Sequence, residues 1–189
     1  MEIPVVFLGG QYNHLIMRAL REIGVSSRRI MPKTTLEDLK GIDGLIMGGG
    51  AYSVNDGMGR FGRLPEIVER ADFPVLGICL SHQLIGKLLG GEVVKGRKPE
   101  YGKTVVRVIE EDEILAGVGK EFVAWASHND EVIRTGRERF SVLAESDCCR
   151  VEALKAAGSP IYGVQFHVEV AETPKGTEIL RNFVNVCRR

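Results

Sequence analysis

The sequence predicts an α/β fold with a mostly parallel central sheet, helices on both faces of that sheet and antiparallel additions to it. Two features of the chain support this prediction. The N-terminal part alternates short apolar, β-rich runs with amphipathic helical patterns, which is typical of βαβ units. From Gly91 onward, β-rich pieces follow one another with few helical patterns between them, which indicates antiparallel strands.

The parallel part begins with a strand at IPVVFL and an amphipathic helix at QYNHLIMRALREIG. Apolar residues recur at helical spacing along one face of that helix, namely Tyr12, Ile16, Ala19, Leu20 and Ile23. In PKTTLEDLKGI, Thr34 and Thr35 are candidate N-caps of a further helix. A strand, a helix and a buried strand are then predicted at DGLIMGGG, LPEIVERA and FPVLGIC.

The antiparallel part is predicted to contain several strands and to end in a helix. The β-rich segments are GEVVKGRKPEYGKTVVRVI, EFVAWASH, FSVLAES, CRVEALKA and IYGVQFH. The final helix lies in TPKGTEILRNFVNVC, where Thr173 before Pro174 is a natural entry. Because the 189 residues contain no repeat, linker or low-complexity tract, we expect one domain, 1–189.

Composition excludes several classes of partner. The chain has 25 Lys and Arg against 25 Asp and Glu, so it lacks the net charge that would favour nucleic acid or an anionic membrane. The N-terminus lacks the positive start of a signal peptide, and no apolar run approaches the roughly 20 residues of a membrane span, so we expect a cytoplasmic protein. The cysteines have neither zinc-site spacing nor disulfide density, and we expect reduced thiols and no metal at Cys79, Cys148, Cys149 and Cys187.

Cys79 lies where a buried strand ends and a helix begins. The segment Gly77 to Ser81 resembles a nucleophile elbow, a tight strand-to-helix turn whose flanking residues must be small. The helix LSHQLIGKLLGG would point its N-terminus at the sulfur and favour the thiolate. From this segment alone, a buried and inert cysteine is an equally good interpretation.

A catalytic cysteine needs a base and a group that orients the base. In a strand VQFHVEV, His167 and Glu169 point to the same side, so the carboxylate can fix the imidazole tautomer. The alternative is a solvated pair at a strand end. The glycines of MGGG can offer a free N–H which, with that of Leu80, would hold an oxyanion, although an ordinary glycine turn has the same sequence.

These residues together resemble a known family. The segments GICLSHQ with Cys79, FHVE with His167 and Glu169, and GGGAYS are similar to those of the class I (triad) glutamine amidotransferases. Within that family the chain resembles the branch that serves GMP synthesis, over nearly its whole length and in GGQYNHLI, EYGK, SHNDEV and GVQFHVEVAETPKGTEILRNF. The resemblance implies the flavodoxin-like fold of that family.

The resemblance also implies a reaction. A glutaminase subunit would hydrolyse glutamine through a Cys79 thioester and supply ammonia to a separate ATP-pyrophosphatase subunit, which aminates XMP to GMP. No cofactor is expected in this chain, because ATP and Mg²⁺ would bind the partner. The family pattern assigns the oxyanion hole to Gly50 and Leu80. It assigns glutamine binding to Gln83 and to the backbone around Tyr101, Gly102, Ser127 and His128, with packing as an alternative role for Tyr101 and His128.

The chain departs from the family pattern close to the predicted site. Relatives have glycine, proline and proline where this chain has Ser81, Val168 and Ala51. Ser81 adds a hydroxymethyl group at a tight contact, so we expect Ser81→Gly to keep or improve activity. Two other functions stay open: a non-catalytic or regulatory subunit, and another cysteine hydrolase of the same superfamily.

Overall fold

The computed structural model describes residues 1–189 and is organised around one nine-stranded mixed sheet. The strands are β1 (Val5–Val6), β2 (Arg29–Ile30), β3 (Leu45–Met47), β4 (Val75–Ile78), β5 (Glu92–Val108), β6 (Glu121–Ile133), β7 (Phe140–Glu145), β8 (Ala153–Ala156) and β9 (Ile161–Val164). The α-helices are α1 (Asn13–Glu22), α2 (Leu64–Arg70), α3 (Leu80–Leu88) and α4 (Gly176–Val186). Short 3₁₀ helices lie at Glu37–Leu39, Val54–Asp56, Met58–Phe61 and Glu113–Leu115.

The sheet has a parallel half and an antiparallel half. Its strand order is β2-β1-β3-β4-β9-β8-β7-β5-β6. The first five strands in this order pair in parallel, and every later pairing is antiparallel. This arrangement confirms the predicted fold class. The carboxyl ends of the parallel strands β3, β4 and β9 meet at one edge of the sheet. In open α/β sheets, ligands bind at this edge.

Helices cover both faces of the sheet, as predicted. One apolar core contains Ile16 of α1 and Phe183 of α4, and the other contains Ile67 of α2 and Leu84 of α3. α1 and α4 therefore lie on one face, and α2 and α3 lie on the other. None of the helices combines the length and the apolar character that a membrane crossing requires.

Two predicted element boundaries differ from the structure near the end of the chain. β9 ends at Val164, so His167 and Glu169 lie in a turn rather than in a strand. The backbone leaves the ladder because the His167 N–H donates to the carbonyl of Trp125 on β6, at 2.9 Å. α4 begins at Gly176 rather than at Thr173, because the Thr173 hydroxyl accepts from the Trp125 N–H and donates to the His167 carbonyl.

The predicted helix in PKTTLEDLKGI is only the 3₁₀ turn Glu37–Leu39. Thr35 is the residue that caps this turn: its hydroxyl accepts from the Asp38 N–H, and the Asp38 carboxylate accepts from the Thr35 N–H. The turn ends at Lys40, whose ψ of 131° is extended, and Gly41 follows with a φ of 82°, a conformation that favours glycine.

We predict that Gly77→Ala destabilises the fold. A Cβ at Gly77 would stand 2.6 Å from Ile85 Cδ1 and 2.8 Å from the carbonyl carbon and oxygen of Ser81, and the backbone of α3 cannot move without disturbing its packing on β4. We expect the free energy of unfolding in urea to fall by about 2–3 kcal/mol. Gly59→Ala is the matched control, because its Cβ would meet nothing within 4 Å. Equal stabilities of the two variants would contradict the tight contact.

Candidate active site

Cys79 occupies a strained turn between β4 and α3. Its φ of 54° and ψ of −106° make it the only non-glycine residue of the chain with a positive φ. Such a conformation costs of order 1–3 kcal/mol and persists only where surrounding structure enforces it. Here the Cys79 N–H donates to the Val164 carbonyl at 2.8 Å, and the Cys79 carbonyl accepts from the Gln83 N–H at 3.2 Å.

His167 and Glu169 form a buried pair beside this turn. Nδ1 of His167 lies 2.8 Å from Oε1 of Glu169, and the Glu169 side chain is fully enclosed. Two hydrogen bonds hold the main chain of His167. Its N–H donates to the Trp125 carbonyl, and its carbonyl accepts from the Thr173 hydroxyl at 2.6 Å. The imidazole therefore has a fixed position and a fixed partner, although it does not lie in a strand.

The imidazole is also held in its charged form. Burial opposes the charge, but hydrogen bonds and charge interactions with Cys79 and Glu169 outweigh it and raise the pKa of His167 to about 10. An imidazole that lies between a sulfur and a carboxylate has its pKa raised in this way, because both neighbours stabilise the imidazolium. The Tyr12 ring meets the imidazole edge-on, with ring centroids 4.9 Å apart. The sequence pattern places Tyr12 only on a helical apolar face and does not indicate this contact.

The carbonyl groups of the glycines after β3 are anchored by residues of two different helices, α3 and α1. The Gly48 carbonyl accepts from the Ser81 hydroxyl at 2.6 Å, and the Gly49 carbonyl accepts from the Gly10 N–H at 3.0 Å and from Nδ2 of Asn13 at 3.1 Å. In a trans peptide the carbonyl and the following N–H point in opposite directions. The N–H groups of Gly49 and Gly50 therefore point away from these anchors, and both residues line the cleft described below.

Gly50 has no room for a side chain. A Cβ at Gly50 would lie 2.6 Å from Leu80 Cδ2 and 2.7 Å from the Leu8 carbonyl oxygen. A Cβ at Gly49 would lie 3.5 Å from Cε1 of His167 and 3.6 Å from Cβ of Cys79, so cysteine, histidine and glycine loop surround one small space. Leu80 begins α3, and its N–H has no preceding helical turn to donate to.

A cleft of about 590 Å³ opens over these groups. Most of the predicted site residues line it, namely Cys79, His167, Gly50, Leu80, Gln83, Tyr101, Ser127 and His128. Glu169 lies behind His167 and does not line the cleft. Gly102 does not line it either; it follows Tyr101 on β5 with a φ of 129°, a conformation that favours glycine.

The predicted glutamine-binding residues differ in their exposure and in their hydrogen-bond partners. Tyr101 is 66% exposed, so packing does not explain its presence. Gln83 is buried, and its Nε2 donates to the Asp130 carbonyl and to Oε1 of Gln165. His128 is buried with its ring turned inward, where Nδ1 lies 3.0 Å from the Asp130 carbonyl.

Comparison with known proteins decides the family. A model described as glutamine amidotransferase class-I matches residues 5–187. The chain belongs to this family. A protein from Sulfolobus acidocaldarius, named as a subunit of glutamine-hydrolyzing GMP synthase, is 46% identical over 189 residues, which cover 100% of both chains. A protein of the same name from Methanocaldococcus jannaschii is 48% identical, covering 98% of this chain and 97% of its own length.

A solved structure agrees with this assignment. The crystal structure of a Thermoplasma acidophilum protein, provisionally described as a subunit of GMP synthase, superposes with a TM-score of 0.93 at 37% identity. The match covers 100% of this chain and 94% of that one. The relatives are named as subunits, which implies that each works with a further subunit. The resemblance to the class I glutamine amidotransferases is therefore confirmed.

Ser81 has a partner that its position in the sequence does not indicate. Its hydroxyl joins α3 to the glycine loop, a contact that the expectation for Ser81→Gly did not take into account. We now predict that Ser81→Ala lowers the free energy of unfolding by about 1 kcal/mol and slows glutamine hydrolysis several-fold, because the Gly48–Gly49 peptide loses its anchor. Ser141→Ala, which removes an exposed hydroxyl from β7, is the control in both measurements. Unchanged kinetics in Ser81→Ala would show that the hydrogen bond does not position the loop.

We predict that Cys79→Ala lowers the pKa of His167, because the alanine removes the sulfur that favours the imidazolium. NMR titration of the ring should place the wild-type transition near 10 and the variant transition clearly lower. Cys148→Ala should leave the transition unchanged. Since the folded pKa lies above the ordinary value of 6.5, these contacts stabilise the fold below about pH 6.5 and are lost as pH rises to about 10. A wild-type titration of His167 near pH 6.5 would contradict the stabilisation of the imidazolium by these contacts.

Proposed function

We propose that this chain is the glutaminase subunit of a two-subunit GMP synthase, a cytoplasmic protein with one amidotransferase domain over 1–189. In this proposal it hydrolyses glutamine and passes ammonia to a separate ATP-pyrophosphatase subunit, which aminates XMP to GMP. The names of the full-length relatives support this role. The observation that carries the chemistry is the strained Cys79 beside the buried His167–Glu169 pair.

In the first half of the proposed reaction, the Cys79 thiolate attacks the carboxamide carbon of glutamine. The C–N bond then breaks, and the imidazolium of His167 gives its proton to the departing nitrogen, which leaves as ammonia. A glutamyl thioester on Cys79 remains. The charged state of His167 suits this step, because the acid already holds the proton that the leaving group needs.

The oxyanion that forms during the attack needs hydrogen-bond donors. In this proposal they are the N–H groups of Leu80 and Gly50, which are in place before substrate arrives because α3 and the anchored glycine loop hold them. Loss of one such donor typically costs about 3 kcal/mol of transition-state stabilisation. Preorganisation of this kind explains why the loop is tied through the carbonyls of Gly48 and Gly49.

In the second half, His167 is neutral after giving up its proton and takes one from a water molecule. The resulting hydroxide attacks the thioester carbonyl, the C–S bond breaks, and glutamate leaves while the Cys79 thiolate is restored. Glu169 keeps Nδ1 as the protonated nitrogen, so that Nε2 faces the cleft. No cofactor in this chain takes part in these steps.

Substrate binding is assigned by family resemblance to Gln83 and to the backbone around Tyr101, Gly102, Ser127 and His128. Ser127 is well placed for this role, because its carbonyl lies 3.8 Å from the Cys79 sulfur. Tyr101 offers an exposed ring at the mouth of the cleft. Ammonia is mostly protonated in neutral water and then not nucleophilic, so its transfer requires docking to the partner. In this proposal ATP and Mg²⁺ bind only to that partner.

The test separates the production of ammonia from its use. The chain is assembled with the ATP-pyrophosphatase subunit encoded in the same genome, and GMP formation is measured with glutamine or with ammonium as nitrogen donor. Cys79→Ala should abolish glutamine-dependent synthesis and keep ammonium-dependent synthesis, because it removes one sulfur inside the cleft and leaves the surface intact. Cys148→Ala, which changes a half-buried cysteine outside the cleft, should keep both activities.

The alternatives give different results. Glutamine-dependent synthesis by the Cys79→Ala complex would show that Cys79 is not the nucleophile. A wild-type chain that never hydrolyses glutamine, with or without the partner, would indicate a regulatory role. Hydrolysis of other amides or peptides in preference to glutamine would indicate a different cysteine hydrolase.

A further inference from the structure

Four ionisable side chains meet inside the antiparallel half of the sheet, behind the cleft. Glu100 on β5 and His128 on β6 are directly opposite each other in the ladder, and Cys149 and Glu152 come from the segment between β7 and β8. All four are buried, and one nitrogen, sulfur or oxygen atom from each lies within 4.8 Å of the others. The catalytic steps proposed above use none of these four side chains as acid, base or nucleophile.

Glu152 is the member that most needs a partner. Its side chain has no exposed surface, and neither carboxylate oxygen has a hydrogen-bond donor. Glu100 is a second buried carboxylate of the same cluster. A buried carboxylate without donors is costly in its charged form, and a bound cation removes that cost.

His128 is oriented as metal-binding histidines usually are. Its Nδ1 lies 3.0 Å from the Asp130 carbonyl, and a proton on Nδ1 that is donated to this carbonyl leaves Nε2 with its lone pair. Nε2 points into the cluster and lies 3.1 Å from Oε2 of Glu100, with which it forms a salt bridge when the ring carries a proton on both nitrogens. In the neutral tautomer with its proton on Nδ1, two electron-pair donors face each other with no proton between them.

We propose that Glu100, His128, Cys149 and Glu152 bind one divalent transition-metal ion, for which zinc fits best. One thiolate, one imidazole and two carboxylates form a four-coordinate zinc set, whereas the thiolate disfavours magnesium and calcium. Ligand atoms around tetrahedral zinc stand roughly 3.3–3.8 Å apart. In this structure the four ligand atoms lie within 4.8 Å of one another, so they would have to move closer together to bind the ion.

The ion would have a structural role. It would join β5, β6 and the segment between β7 and β8, and its ligand His128 follows Ser127 on β6, where both residues line the cleft. With four protein ligands the coordination sphere is closed, so no position remains for water or substrate. Sequence patterns do not indicate this site, because its ligands come from three separate segments without the close Cys and His spacings of zinc motifs.

The test is zinc binding by the full-length chain in a Cys79→Ser background, which prevents zinc from binding the catalytic thiolate. After extensive dialysis, elemental analysis should find one equivalent of zinc per chain. Cys149→Ser and Glu152→Gln should each weaken zinc binding at least about tenfold. Cys148→Ser is the matched control, because it removes the neighbouring thiol that lies outside the cluster, and it should keep the full equivalent.

Cobalt(II) binding tests whether the Cys149 thiolate is a metal ligand, without a substitution at any of the four proposed ligands. A protein with Cys79, Cys148 and Cys187 all replaced by serine retains Cys149 as its only thiol. Cobalt(II) should give this protein a thiolate-to-cobalt charge-transfer band in the near ultraviolet, and a chelator should abolish the band and lower the midpoint of thermal unfolding. Absence of the band, or zinc retention that is unchanged by Cys149→Ser and Glu152→Gln, would overturn the proposal and leave a protonated Glu152 as the explanation of the cluster.

Discussion

The left-handed conformation of Cys79 is the constraint on which the rest of the site depends. It turns the chain so sharply that α3 begins at the next residue and packs directly against β4 and β9. The strain costs of order 1–3 kcal/mol, and α3 offsets it by burying Leu84 and Ile85, at about 1.5–3 kcal/mol each. The packing is so close that a Cβ at Gly163 would lie 2.7 Å from Nδ1 of His82. Burial there lowers the pKa of His82 to about 3, so it is a neutral packing residue.

The same helix also orders the groups around the sulfur. Ser81, two residues after Cys79, holds the Gly48 carbonyl from the side of α3, while Asn13 holds the Gly49 carbonyl from the side of α1. The glycine loop is therefore fixed by two helices that lie on opposite faces of the sheet. A family departure at Ser81 is thus compatible with an ordered site, because the added hydroxyl replaces free space with a hydrogen bond.

Periodicity and turn chemistry were sufficient to predict the fold class and the elbow, because both depend on residues that are close in sequence. The turn that contains His167 could not be predicted in the same way. Its geometry depends on hydrogen bonds with Trp125 and Thr173, which are distant in sequence. The local pattern of the segment alone predicts a strand. The Ser81–Gly48 bond and the approach of Tyr12 to His167 also join distant segments, so local pattern does not indicate them.

The two halves of the sheet contribute different parts of the site, and their boundary passes through it. The parallel half holds Cys79, while the backbone of His167 bridges to Trp125 on β6 in the antiparallel half. Ser127, two residues further along β6, brings its carbonyl to 3.8 Å from the sulfur. Any movement of β6 relative to β4 would therefore change the distances among the Cys79 sulfur, the His167 ring and the Ser127 carbonyl together. Interactions that hold β6 in place, including the buried cluster around His128, thus help to fix the geometry of the proposed site.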